Sequence, residues 1–339
     1  MMKKTCKANH KKIRIPAAAV LLAAAAAVAL GGCGKQESTE GSSALSETET
    51  VSQAVSSYDV EWNGKYYKYN SNLTNVLFLG IDKSDLIETT YESAGEAGQS
   101  DCIILLSLDE ETETGTILQI NRNAMTELDV YDDSGNYLES LEGQITLQYA
   151  YSIGGSRSCY AAKKTIQEML YGLQIDAYLA LDVSGVPEIN DALGGVTVTC
   201  SYDYTDIDES YTEGTAVDLE GEAAQTFVQY RDTDVFNSVE DRMHRQVDYV
   251  TGMITSMNQS SGSSLYDILE PYFDTYIITD MQAEEMNALK NYEYLTDDVL
   301  YLPGETEMGK KYEEFYIDEE ELQDLIIQTY YTEVEVDEE

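Results

Sequence analysis

Positive charge is what this chain lacks most. It carries 63 Asp and Glu against 20 Lys and Arg. Six of those 20 (Lys3, Lys4, Lys7, Lys11, Lys12 and Arg14) fall in the first 33 residues, which hold no acid. The remainder has 14 bases and 63 acids, a net of −49. A surface so negative repels a phosphate backbone, which argues against nucleic acid as a partner. Histidine is nearly absent, with 2 residues, and no CxxC occurs, so a zinc site is not expected. Proline numbers only 4 while Tyr numbers 27, a composition that argues against disorder beyond Tyr58. Cysteine is sparse. Cys102, Cys159 and Cys200 lie in the body of the chain, and an odd count cannot form a complete disulfide framework, though one bridge stays open. Cys102 and Cys200 sit in strand-like runs and read as buried thiols.

Long apolar runs are scarce too. The longest, Pro16 to Leu30, has 15 residues, against the roughly 20 that a spanning helix needs. It follows a basic stretch and ends in LGGC at 30–33. A leucine, two small residues and a cysteine look like a bacterial lipobox, in which residues 1–32 are a signal peptide and Cys33 carries a diacylglycerol. Two acyl chains hold a protein at a membrane where one is marginal. The alternative is an uncleaved membrane anchor; both place the remainder outside the cytoplasm. Residues 34–57 are 18 of 24 Ser, Thr, Gly, Glu or Gln. They cannot bury a core and read as a disordered tether, ~27 Å end to end as a coil.

What remains is long enough for a sizeable core. Apolar runs mark strands at 75–81, 101–109, 116–121, 177–183 and 195–200, with a hairpin turn at 110–115. Helical patterns fall at 158–171, 184–193, 220–230 and 239–258. The mixture is α/β with a mixed sheet. A Gly/Ser break at 259–264 divides a 58–258 domain from a smaller α+β extension at 259–339. That extension has helices near 282–291 and 318–330, and a terminal TEVEVDEE expected to fray.

Beyond residue 33 only five arginines occur: Arg122, Arg157, Arg231, Arg242 and Arg245. Arg122 closes an apolar strand in ILQINRNAM, where a surface carboxylate or an anionic ligand are the two partners to weigh. On the 239–258 helix, Val239, Met243, Val247, Val250, Ile254 and Met257 form one apolar stripe at 100° per residue. Arg242 and Gln246, four apart, border it and can reach a groove beside the core. Arg245 turns further out. His244 points to the opposite side and reads as solvated, and Arg157 reads as a surface residue.

The blocks NVLFLGID (75–82), GQSDCIILLSLD (98–109), ILQINRNAM (117–125), QYAYSIGG (148–155), IDAYLALDVSGVPEINDALGGVTV (175–198), LEGEAAQTFVQYR (219–231) and DRMHRQ (241–246) resemble, in order and spacing, the LytR-CpsA-Psr (LCP) family of cell-envelope proteins. The resemblance implies an α/β sandwich with a mixed central sheet flanked by helices. It also implies a phosphotransferase that attaches an anionic glycopolymer, of teichoic acid or capsule type, from undecaprenyl pyrophosphate to peptidoglycan. By the same resemblance Arg122 is the catalytic arginine facing the pyrophosphate. Arg231, Arg242, Arg245 and Gln246 join it in binding, and Asp82 and Asp101 hold Mg²⁺. A greasy slot between sheet and helices is implied for the polyprenyl tail. Guanidinium suits the task because its fork binds phosphate oxygens bidentately. Two strand-end carboxylates plus phosphate oxygens suit Mg²⁺; turn aspartates are the plainer alternative. Four positions depart from the family pattern. Ser84, Gln99 and Gln229 stand where Arg is usual, and Asn123 where Asp is usual. They sustain a rival reading, a non-catalytic lipoprotein that binds polyprenyl phosphate or glycan. A solute-binding lipoprotein is a second rival, though a single large unit does not suggest two lobes.

Overall fold

The computed structural model describes residues 58–83, 98–259 and 264–336. Cys33, the tether and Ser84 lie outside them. The described residues fall in two compact units, one within 72–324 and a smaller one of residues 58–71 and 325–336.

The elements run β1 Val60–Trp62, β2 Lys65–Tyr69, β3 Leu73–Ile81, β4 Ser100–Asp109, β5 Thr114–Gln119, β6 Met125–Tyr131 and β7 Tyr137–Gln144. Then come α1 Leu147–Ala150, α2 Gly155–Met169, β8 Ala177–Asp182, α3 Val186–Ala192, β9 Val196–Thr199, β10 Ala216–Leu219, α4 Glu222–Gln229 and α5 Ser238–Gln259. The C-terminal part holds α6 Leu265–Leu269, β11 Ile277–Thr279, α7 Ala283–Ala288, β12 Glu293–Tyr294, β13 Leu300–Tyr301, β14 Gly304–Met308, β15 Glu313–Ile317, α8 Glu319–Tyr330 and β16 Tyr331–Val334.

A mixed seven-stranded sheet organises the larger unit, in the order β11-β8-β3-β4-β5-β12, with β13 also on β5. β3 runs parallel to β8 and antiparallel to β4. β3 and β4 are central, so apolar residues recur without a break and both faces are covered. Leu77, Leu79, Ile103 and Leu105 are fully buried on one face. Val76, Ile104, Leu106 and Ile117 meet the α5 residues Val247, Val250, Ile254 and Met257 on the other. Each such side chain contributes about 1.5–3 kcal/mol by leaving water. The α5 stripe is buried from Val239 to Met257, as its spacing requires.

The segment after 258 is woven into this sheet rather than set apart from it. β11 pairs with β8, and β12 and β13 pair with β5. Cys102, Cys159 and Cys200 are free, buried thiols.

In the smaller unit β2 lies between β1 and β16. The C-terminus therefore does not fray at Tyr331–Val334, which pairs with Tyr66–Tyr69. A core of Val60, Trp62 and Ile327, flanked by Tyr67 and Tyr331, holds the strands.

Candidate functional site

Local chemistry fixes the loop that carries Arg122. Asn121 Oδ1 accepts from the backbone N–H of Asn123 at 2.9 Å, a side-chain turn that ends the strand. The Arg122 carbonyl accepts from Thr146 N at 3.1 Å, and the Asn123 carbonyl from Phe315 N at 2.9 Å. The Asn123 side chain is 4% exposed and accepts from Gln144 Nε2 at 3.3 Å. Asn123 thus holds the loop.

Asp82 and Asp101 come together as their strand-end positions predict. β3 and β4 are neighbours, with a register shift between Gly80 and Ile81. Asp82 N donates to Gln99 O at 2.8 Å. Gly80 is required because a Cβ there would stand 2.8 Å from the Cys102 Cβ. Gly98 has φ +84°, a left-handed conformation that favours glycine.

Asp101 is the hub. Arg242 Nη1 donates to its Oδ2 at 2.7 Å, and Arg122 Nη2 stands 2.9 Å from its Oδ1. Arg122 also donates to Thr146 Oγ1, at 3.0 Å from Nη2, and to Gln99 Oε1 at 2.5 Å. Gln99 therefore offers an oxygen to Arg122, where a second guanidinium would repel it. Gln246 Nε2 donates to the Asp101 carbonyl at 3.4 Å.

The side chains of Asp101, Arg122 and Arg242 are 15%, 13% and 7% exposed. Burying such a cluster seldom stabilises a fold relative to apolar packing, so its presence points to a function. Burial lowers the Arg122 guanidinium to about 10, with the Asp101 charge opposing the shift. Partial withdrawal from water and then the charge of Asp101 raise the Asp82 carboxyl above its usual range, while Arg122 and Arg242 pull it back. Arg242 Nε and Nη2 and Gln246 Oε1 are buried without a hydrogen-bond partner. Orphaned buried groups of this kind are rare in a native protein.

Asp101 and Arg242 of the cluster, with Asp82, line a cavity between the sheet and α4/α5. Beyond Asp82, Asp101, Arg242, Gln246 and Gln229 its wall is apolar, with Phe78, Leu181, Tyr249 and Met253 among the lining residues. Phe78, Leu181, Val250 and Met253 also line a neighbouring apolar cavity. Charged side chains thus sit beside a continuous apolar wall.

Among the described residues no group of three or more His, Cys, Asp or Glu comes together. A cation here would rest on Asp82 and Asp101 alone, with further oxygens from a ligand or water, a donor set that fits Mg²⁺. The mutual repulsion of the two carboxylates suits that fit.

Other expected residues fall elsewhere. Arg245 is not at the site: it is 1% exposed, and burial lowers its pKa. Its Nε donates to Phe227 O at 3.1 Å and its Nη2 to Tyr230 O at 2.5 Å, between the rings of Tyr204 and Tyr230. It ties the end of α4 to α5. His244 is half-buried rather than fully solvated. It stacks on Tyr202 with centroids 4.1 Å apart and meets the edge of Tyr301, because the strand carrying Tyr301 covers that side of α5. Arg231 lies beside the cluster, in an ion pair with Glu313 Oε2 at 2.9 Å. Arg157 is a surface residue reaching Ser134 O. Sequence reading missed Thr146 and Glu313. Neither carries a signal, since Glu313 is one acid among many and meets Arg231 across 82 residues.

The fold and site define an α/β domain in which a buried Arg–Asp–Arg cluster borders an apolar cavity. The chain belongs to the LytR_cpsA_psr family, whose family model matches residues 33–329; proteins of this family are associated with the cell envelope. It is 26% identical over 259 residues to the polyisoprenyl-teichoic acid–peptidoglycan teichoic acid transferase TagV of Bacillus subtilis, covering 71% of this chain and 60% of that protein. It is 25% identical over 222 residues to the transferase TagU of Enterococcus faecalis, covering 65% of each. The chain thus spans less than two thirds of the length of these relatives. The crystal structure of B. subtilis TagU shares the fold with a TM-score of 0.55 and 18% identity, over 76% of this chain and 95% of that one. Among the described residues no helix is long and apolar enough to cross a membrane.

Proposed function

We propose that the protein is a cell-envelope phosphotransferase that moves an anionic glycopolymer from a polyprenyl pyrophosphate carrier to a peptidoglycan hydroxyl. The observation that carries this reading is the Arg122–Asp101–Arg242 cluster with its unpartnered guanidinium nitrogens at the head of an apolar cavity. The relatives named as teichoic acid transferases support it. The polyprenyl tail occupies the cavity, and Arg122, Arg242 and Gln246 hold the pyrophosphate oxygens. Arg231 adds positive potential from beside the cluster. The acceptor oxygen bonds to the phosphorus that bears the glycopolymer. The bond from that phosphorus to the polyprenyl phosphate breaks, the released phosphate keeps the electron pair, and the acceptor's proton passes to it. Such a transfer is mostly positioning and charge stabilisation, which two guanidiniums preset by Asp101, Thr146 and Gln99 supply. Asp82 and Asp101 hold Mg²⁺, which when bound neutralises charge developing on the phosphates.

The lipobox reading completes the proposal: Cys33 is diacylated and the domain works at the outer face of the membrane. Cys33→Ala should abolish fatty-acid labelling and leave unprocessed precursor. Equal labelling of the variant would refute the anchor.

A second reading, a non-catalytic binder of polyprenyl phosphate, draws on Asp101, both of whose oxygens already face guanidiniums. A purified donor lipid with a peptidoglycan acceptor separates the two. Transfer predicts Mg²⁺-dependent release of polyprenyl phosphate, abolished by a chelator. Lipid bound without product, while a full-motif relative turns over in the same assay, would favour the binder.

A further inference from the structure

A second cavity meets the site from the other side of Arg122. It is an open groove, with Arg122, Gln144 and Arg231 facing Met308, Lys311 and Tyr312 of the β14–β15 hairpin. It shares no lining residue with the apolar cavity, and the Arg122–Asp101 pair stands between the two. We propose that this groove seats the acceptor glycan, and that Lys311 and Tyr312 read a sugar chain bearing carboxylates.

The inference rests on the transfer reading. An in-line displacement at phosphorus places the attacking oxygen opposite the leaving group. If the leaving polyprenyl phosphate lies in the apolar cavity, the nucleophile arrives from the groove. The hairpin is a fixed wall. Phe315 N donates to Asn123 O, Gln144 Nε2 donates to Glu313 O at 2.6 Å, and Arg231 is paired with Glu313.

The chemistry at its tip is unlike the rest of the surface. Only three basic residues follow Arg245, and two of them are Lys310 and Lys311. Acids crowd the same hairpin at Glu305, Glu307, Glu313 and Glu314. Yet neither lysine takes part in any ion pair among the described residues. Lys311, on the groove wall and outside any ion pair among the described residues, leaves a cation open to an anionic ligand in a chain of formal charge −43. Beside it Tyr312 is 70% and Met308 62% exposed. An exposed tyrosine ring offers an apolar face and a polar hydroxyl at little entropy cost, which suits the alternating CH and OH faces of a pyranose.

The test is a binding titration on the full mature chain without donor lipid. The probes are soluble peptidoglycan fragments carrying stem carboxylates, a neutral chitin oligosaccharide of equal length, and a soluble poly(glycerol phosphate) fragment. The carboxylated glycan should bind at least about tenfold tighter than the neutral one, an advantage that falls with salt. Lys311→Ala and Tyr312→Ala should each weaken it about 5–10-fold, while Lys311→Arg and Tyr312→Phe keep most of it. Retention of polyprenyl lipid by the variants reports that the fold is intact. Equal affinity for neutral and carboxylated glycans, or unchanged affinity in both alanine variants, would overturn the proposal. So would weakening confined to the poly(glycerol phosphate), which would make the groove a donor site. Because no turnover is needed, glycan binding that survives with no transfer would refute the enzyme reading alone.

Discussion

At the scale of single residues, Asp101 holds the most consequence. Its carboxylate is the counter-charge for two largely buried guanidiniums. Removing one partner of such a cluster leaves uncompensated charge. Asp101→Ala should cost about 3–5 kcal/mol in denaturant unfolding and lose Mg²⁺ binding together with activity. Unchanged metal dependence would sink the metal assignment. Asp109 is the control for activity, but not for stability, because it caps the hairpin turn by accepting from Glu111 N and Thr112 N. Asp82 adds a sign to the pH profile. Its carboxyl titrates above the usual range, so Mg²⁺ affinity should begin to fall, as pH drops, earlier than for an ordinary aspartate. The placement of Arg122, Asp82 and Asp101 near strand ends was legible from apolar patterning, while the roles expected of them came from the resemblance to the LCP family. Gln99 was not legible in this way. Its replacement of an expected cation looks like a loss until its oxygen is seen to accept from Arg122.

At the scale of elements, α5 shows what periodicity can and cannot tell. The 100° spacing located the buried stripe and set Arg242 and Gln246 at its border. It could not say what covers the other side, because that depends on β13 and on the loop carrying Tyr202. His244 was misjudged for this reason, and Arg245 because the end of α4 and Tyr204 close over it. Burial lowers the His244 pKa below 6.5, against the pull of Glu240, Asp241 and Asp248. A lowered histidine takes up its proton more readily unfolded than folded. Its contribution is therefore whole above about 6.5 and is lost as pH falls toward the folded value. The stability of His244→Phe relative to wild type should rise as pH goes from 7.5 to 5.5, measured by urea midpoints. A difference independent of pH would contradict the burial of this ring.

At the scale of the whole molecule, the central strands, the flanking helices and the mixed sheet followed from apolar patterning. What escaped was pairing between distant segments. β16 joins β2 across more than 260 residues of sequence, and β11, β12 and β13 enter the central sheet from beyond the Gly/Ser break. Short edge strands carry little periodic signal of their own; their partners define them. The same limit hid the hairpin that brings Glu313 to Arg231 and walls the groove beside Arg122. The account's central claim is that the guanidinium cluster performs transfer, beyond gripping a lipid. Single-turnover transfer by wild type and Arg122→Ala, with donor occupancy measured in each, tests it most directly. The account predicts Mg²⁺-dependent product from wild type. It also predicts a rate lower by on the order of 10²-fold or more in the variant while lipid remains bound, the scale of losing one transition-state charge contact. Equal rates in the two proteins, or full occupancy with no product from wild type, would contradict it.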